Sequence, residues 1–164
     1  MATRIRKTFP PVQIGTVSHG TMREEDLIPC FEDFLREHGS RPPRRPKDLT
    51  WWLDGEAFAD NERTAAAMED AGYYLNEDLW ARMEALAPPY TYFGASEGDG
   101  CDYGYWPMTE VAMEDIRSGE LLGGEDWPEN VPAGTLFLHI SDHGNLELYR
   151  RIAGGKWESV WSVV

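Results

Sequence analysis

Residues 135–163 read TLFLHI (135–140), SDHGN (141–145), LELYRRI (146–152), AGGK (153–156) and WESVWSV (157–163). The first, third and fifth pieces carry the apolar, β-branched and aromatic side chains of strands that bury one face. The pieces between them are turn chemistry. Asn and Asp tolerate left-handed backbone geometry and Gly adopts it freely, so Asp142-His-Gly-Asn145 and Ala153-Gly-Gly-Lys156 predict two tight reversals. The C-terminal third therefore reads as a three-strand antiparallel meander over Thr135–Ile140, Leu146–Ile152 and Trp157–Val163.

Moving back along the chain, Tyr90–Phe93 and Tyr103–Trp106 are aromatic strand segments on either side of Gly94–Gly100. This arrangement predicts a hairpin with a long mobile tip. Residues 109–130 are acidic and irregular, with a short helix at Glu110–Arg117. The N-terminal half is helical in pattern. Thr21 and Glu24 have the spacing of a capping box, and Leu27, Phe31, Phe34, Leu35 and His38 follow at helical spacing until Gly39. Pro29 within this run predicts a kink or a later start. Asp48 caps a short helix with Leu49, Trp52 and Leu53. A further helix is expected over Glu62–Ala71, stopped by Gly72. Asn76 then caps another over Glu77–Ala87, stapled by Leu75 and Trp80 and ended by Pro88-Pro89. Val12–Val17 is a short strand ahead of the Ser18-His-Gly-Thr21 turn, and residues 1–11 are a basic tail. The expected fold is α+β: N-terminal helices packed on a mainly antiparallel sheet with a C-terminal three-strand meander, one domain over residues 12–164.

The chain has 164 residues and is 41% hydrophobic and 12% aromatic, which suits one compact domain and excludes wholesale disorder. No apolar run approaches the roughly 20 residues of a membrane span, and MATRIRKTFPPVQIG lacks the apolar stretch of a signal peptide. The cytoplasm is the expected location. Cys30 and Cys101 make no disulfide framework and fit a reducing compartment.

Fifteen basic residues face twenty-nine acidic ones, a formal net charge of −14. Residues 1–53 hold nine basic and seven acidic side chains; residues 54–129 hold three basic and nineteen acidic; residues 130–164 hold three of each. The acidity thus lies in the middle, where it repels nucleic-acid phosphate and attracts cationic surfaces. It is either a solubilising face or a binding face. Just before it, Arg41, Arg44, Arg45 and Lys47 lie in SRPPRRPKD, a segment whose prolines forbid a regular helix. This is a connector that neutralises the neighbouring acids, or a basic docking loop.

Candidate residues fall into two groups. The tip acids Glu97, Asp99 and Asp102, with the aromatics Tyr103, Tyr105 and Trp106, form a candidate partner-binding surface. The tip lacks the spacing of a calcium loop and the G-K-[ST] of a phosphate loop. His19, Asp142 and His143 form a candidate metal set if the two His-Gly turns meet, with His139 completing an H-x-x-D-H pattern on a strand. The plain alternative is turn chemistry alone. Ser18 sits beside His19 without a G-x-S-x-G elbow, Cys30 falls near an apolar stripe as a small buried hydrophobe, and the acidic surroundings of Cys101 disfavour its thiolate. No catalytic residue and no cofactor is implied.

Several segments together carry a resemblance: Gly15-Thr-Val-Ser-His-Gly-Thr21 with Asp26-Leu-Ile-Pro29; Leu75-Asn-Glu77, Ala85-Leu-Ala-Pro88 and Tyr92-Phe-Gly94 with Gly98-Asp-Gly-Cys-Asp-Tyr-Gly-Tyr-Trp-Pro107; and Ser141-Asp-His-Gly-Asn145. The chain resembles a group of small acidic hypothetical proteins carried by bacteriophages and plasmids, over about a third of its length. The resemblance implies an accessory protein of a mobile element acting inside a bacterium, and carries no activity with it. In that context the acidic segment is expected to bind a basic, nucleic-acid-handling host protein such as a nuclease or CRISPR-type complex, standing in for phosphates. Direct nucleic-acid binding and membrane association are not expected. The alternatives are a metal-dependent enzyme or metal-binding protein built on His19, Asp142 and His143, and a structural or regulatory phage protein with a non-nuclease partner.

Overall fold

The computed structural model of the protein describes residues 10–54 and 61–163. The predicted basic tail lies outside the described residues except for Pro10 and Pro11, as do positions 55–60 of the acidic segment. In chain order the elements are β1 (Gly15–His19), α1 (Glu24–Glu37), α2 (Lys47–Leu53), α3 (Asn61–Tyr73), a π-helical segment (Tyr74–Leu79), α4 (Trp80–Glu84), β2 (Thr91–Ser96), β3 (Asp99–Pro107), α5 (Thr109–Ser118), β4 (Leu122–Gly124), β5 (Leu136–Ile140), β6 (Leu146–Arg151) and β7 (Trp157–Val163). The architecture is α+β, as expected. The strands form two sheets: an antiparallel one ordered β1-β3-β2, and one ordered β4-β5-β6-β7 in which only β4 and β5 run parallel.

Helix α1 runs through Pro29, whose missing N–H forfeits the bond to the Glu25 carbonyl without ending the helix. The expected capping box does not form. Arg23 takes the N-cap position, while the Thr21 hydroxyl accepts from the Arg23 N–H (3.1 Å) and donates to Asp26 (2.7 Å). Gly39 ends the helix as expected, at φ 77°. The Gly39 N–H donates to the Arg36 carbonyl and the Ser40 N–H to that of Leu35, satisfying two terminal acceptors.

Gly72 and Asn76 do not separate two helices. α3, the π-helical segment and α4 follow one another without a break, and the Asn76 side chain donates to the Gly72 carbonyl (2.8 Å). Burial decides this: Ala71, Tyr74, Leu75, Leu79 and Met83 all enter the core, and packing outweighs two local stop signals. Leu75 and Trp80 are consequently helical neighbours and not a staple.

The first core joins this helix, α1 and the inner face of the three-stranded sheet. Phe31 meets Phe93 edge-on at 5.1 Å, and Phe93 lies 5.2 Å from Tyr105. β1 lies three residues later than the expected Val12–Val17 start. Its Thr16 pairs with Gly104, where a Cβ would stand 2.1 Å from the Gly15 carbonyl oxygen, so only glycine allows the strands this approach. Glu32 of α1, 1% exposed, is bound by Arg45 through two nitrogens (2.6 and 2.8 Å), by Arg36 (2.8 Å) and by the Tyr74 hydroxyl (2.8 Å). Arg45 thus neutralises a carboxylate of α1 and not the acids of the middle segment.

The second core lies between α5 and the inner face of the four-stranded sheet, around Ala112, Leu138, Leu148 and Trp161. The predicted meander is present almost to the residue, and α5 matches the predicted short helix. The parallel strand β4 was not legible in its three residues. On the other face of this sheet Trp127 covers an aromatic group. It stacks on His139 (5.3 Å, 13° between planes) and lies 4.8 Å from Tyr149 and 5.6 Å from Trp157. Two hydrogen bonds tie the sheets' surroundings together: Tyr90 to Asp115 (2.7 Å), and the Trp161 indole to the Pro89 carbonyl (2.8 Å).

Candidate functional site

The hairpin tip is shorter than predicted. Ser96 pairs with Asp99, so only Glu97 and Gly98 link the strands, and Gly100–Asp102 belong to β3 as an irregularity in the ladder. The glycines there permit the bulged strand that sequence reading takes for a loop. Of the three tip acids, Glu97 is exposed and has no ionic partner among the described residues. Asp99 accepts from the Cys101 N–H (2.9 Å) and lies 3.3 Å from His19 Nε2. Asp102 is partly buried, with Oδ1 out of solvent and without a hydrogen-bond donor among the described residues.

Strand alternation sorts the aromatics. Tyr105 is fully buried and its hydroxyl donates to the Met83 carbonyl (2.8 Å), with burial holding the phenol well above its ordinary pKa. Its place on the expected binding surface is therefore corrected: it is a core residue, opposite Phe93 on the inward face. Tyr103 is half-buried on that same side, edge-on to Phe31 and Trp80. Trp106 faces the other way, cross-strand from Tyr92, with its indole N–H donating to the Gly94 carbonyl (2.9 Å).

Tyr92 and Trp106 line a cleft of about 400 Å³. Its walls are completed by Ser96 and Glu97 from the tip and by Pro107, Met108, Thr109, Glu110 and Val111 entering α5. Glu110, like Glu97, is exposed and has no ionic partner among the described residues. An aromatic-lined hollow with two uncompensated carboxylates is chemically suited to a cation with an apolar stem, since the ring face and the carboxylate both favour positive charge. Met108, Glu110 and Val111 were missed as site residues. The turn from β3 into α5 brings Glu110 back beside the hairpin, and no motif signals it.

The candidate metal residues lie apart in role. His19 meets Asp99, whereas His143 Nδ1 is 3.7 Å from Asp142 in the exposed turn between β5 and β6, and His139 stacks under Trp127. Among the described residues, no three His, Cys, Asp or Glu side chains are grouped to hold a metal ion. The Cys30 thiol donates to the Val17 carbonyl (3.5 Å), and burial pushes its pKa up, away from thiolate chemistry. No helix among the described residues is long and apolar enough to cross a membrane. Compared with known proteins, the chain matches no family model, no curated protein and no solved structure.

Proposed function

We propose that the protein is a non-enzymatic acidic binding protein whose hairpin face docks a basic, nucleic-acid-handling protein. The observation that carries this reading is the cleft beside the hairpin. Glu97 and Glu110, without ionic partners among the described residues, flank a hollow lined by Tyr92 and Trp106. A lysine or arginine of the partner would place its stem against the rings and its charge between the carboxylates. In the mobile-element context that the resemblance implies, the partner is a host defence nuclease or CRISPR-type complex whose cationic channel accepts carboxylates in place of phosphates.

The test is a comparison of two baits in nuclease-treated bacterial lysate, the wild-type chain and Glu97→Lys/Glu110→Lys, each eluted with a salt gradient. The expected result is a nucleic-acid-handling protein that elutes from the wild type as salt rises and is missing from the variant. Recovery of the same proteins on both baits would remove the cleft from the function.

A further inference from the structure

On this acidic molecule one cleft has the opposite character. Arg36, Arg41, Arg44 and Arg82, with Pro42 and Pro43, line a hollow of about 630 Å³. The arginines come from three places in the chain: the end of α1, the proline-rich connector before α2, and α4. Acids outnumber bases almost two to one overall, yet Arg41, Arg44 and Arg82 have no carboxylate partner among the described residues. Only Arg36 is paired, to Glu32 (2.8 Å) and Asp33 (2.5 Å). Guanidinium groups repel one another, so three of them lining one hollow without a carboxylate partner leave a local positive field that an anion would relieve.

The walls are held from within the core. Arg45, next to Arg44, is fixed on buried Glu32, and the Tyr74 hydroxyl lies 2.8 Å from that carboxylate and 3.0 Å from the Pro43 carbonyl oxygen. Pro42 and Pro43 fix their own φ angles. The connector is thus pinned at both the carbonyl between its arginines and the side chain after them, so Arg41 and Arg44 are presented from a fixed backbone. The lining is arginine and proline, and several forked guanidiniums suit the bidentate recognition of phosphate oxygens.

We propose that this arginine cleft binds a compact anion carrying two or more phosphate groups, an oligophosphate either free or at the end of a nucleotide. The molecule's overall negative charge opposes a long polyanion, which would have to pass the acidic segment, and favours a short one of high charge density. The proposal is independent of the hairpin face.

The experiment is isothermal titration of the full chain with sodium triphosphate, ATP and a short single-stranded DNA, repeated with Arg44→Ala/Arg82→Ala. Both arginines are exposed, and thermal melting checks that the variant remains folded. The proposal expects triphosphate to bind and the variant, which loses two charge-assisted contacts, to bind it at least about tenfold more weakly. Tighter binding of ATP than of triphosphate would identify the nucleotide form, and the reverse order the free oligophosphate; either supports the site. Failure of both to bind, equal affinity of the variant for triphosphate, or a preference for the DNA would overturn it.

Discussion

Glu32 occupies a position where a carboxylate would ordinarily not be tolerated, and the three groups that hold it explain why it is. Burial by itself raises its pKa, but hydrogen bonds from Arg45, Tyr74 and Arg36 outweigh that and hold the carboxyl below its ordinary value of 4.5. A depressed folded-state pKa means that the ionised group stabilises the fold above the unfolded value and that this contribution is lost as pH falls through the lower, folded one. Replacing Glu32 with Gln leaves the partly exposed Arg45 and Arg36 facing a neutral group and should cost about 1–3 kcal/mol at neutral pH, by urea denaturation. The gap between wild type and variant should narrow as the pH is lowered below 4.5. A gap that stays constant from neutral to acid pH would show that Glu32 is not held as an ion.

At the scale of elements, the legible parts are those in which local chemistry and burial agree. The meander was readable because its strands alternate and its two breaks carry the residues that tight turns require, and Gly39 was readable because it takes the left-handed geometry it signals. The joined helix was not, because Gly72 and Asn76 give stop and start signals that the burial of Tyr74, Leu75 and Leu79 overrides. The hairpin tip was misread for the reverse reason: glycines at 98 and 100 look like a loop but allow a bulged strand. Trp127, in a proline-bearing acidic segment without periodicity, finds its place only through the sheet it covers. Gly72 separates the two readings of the helix. In a true stop it would need left-handed geometry, and alanine would destabilise. Within the observed helix its φ is not left-handed and an added Cβ would lie 3.5 Å from Glu24, an ordinary contact. Gly72→Ala should therefore raise the urea midpoint, by about 0.5–1 kcal/mol of stability. A lowered midpoint would restore the two-helix reading.

For the whole molecule, charge is the organising feature. The three basic residues within 54–129 leave little internal compensation: Arg63 bonds Asp48, Arg117 bonds Glu114, and Arg82 faces the arginine cleft. The segment's acidity was evident from counting alone, whereas the two clefts that give charge a shape were not. Glu97 meets Glu110, and Arg41 meets Arg82, only through the fold. An uncompensated acidic face should associate with cationic proteins in a salt-sensitive way, because exposed charges separated by more than about 10 Å are screened at 0.1 M salt. The most direct measurement is calorimetric titration of the folded chain with an arginine-rich peptide, at low and at moderate salt, for wild type and for Glu97→Lys/Glu110→Lys. The hairpin cleft predicts binding that weakens with salt and falls at least about tenfold in the variant, as the loss of contacts worth about 1 kcal/mol each requires. Equal affinity of the two proteins would contradict it and leave the acidic face a solubilising surface.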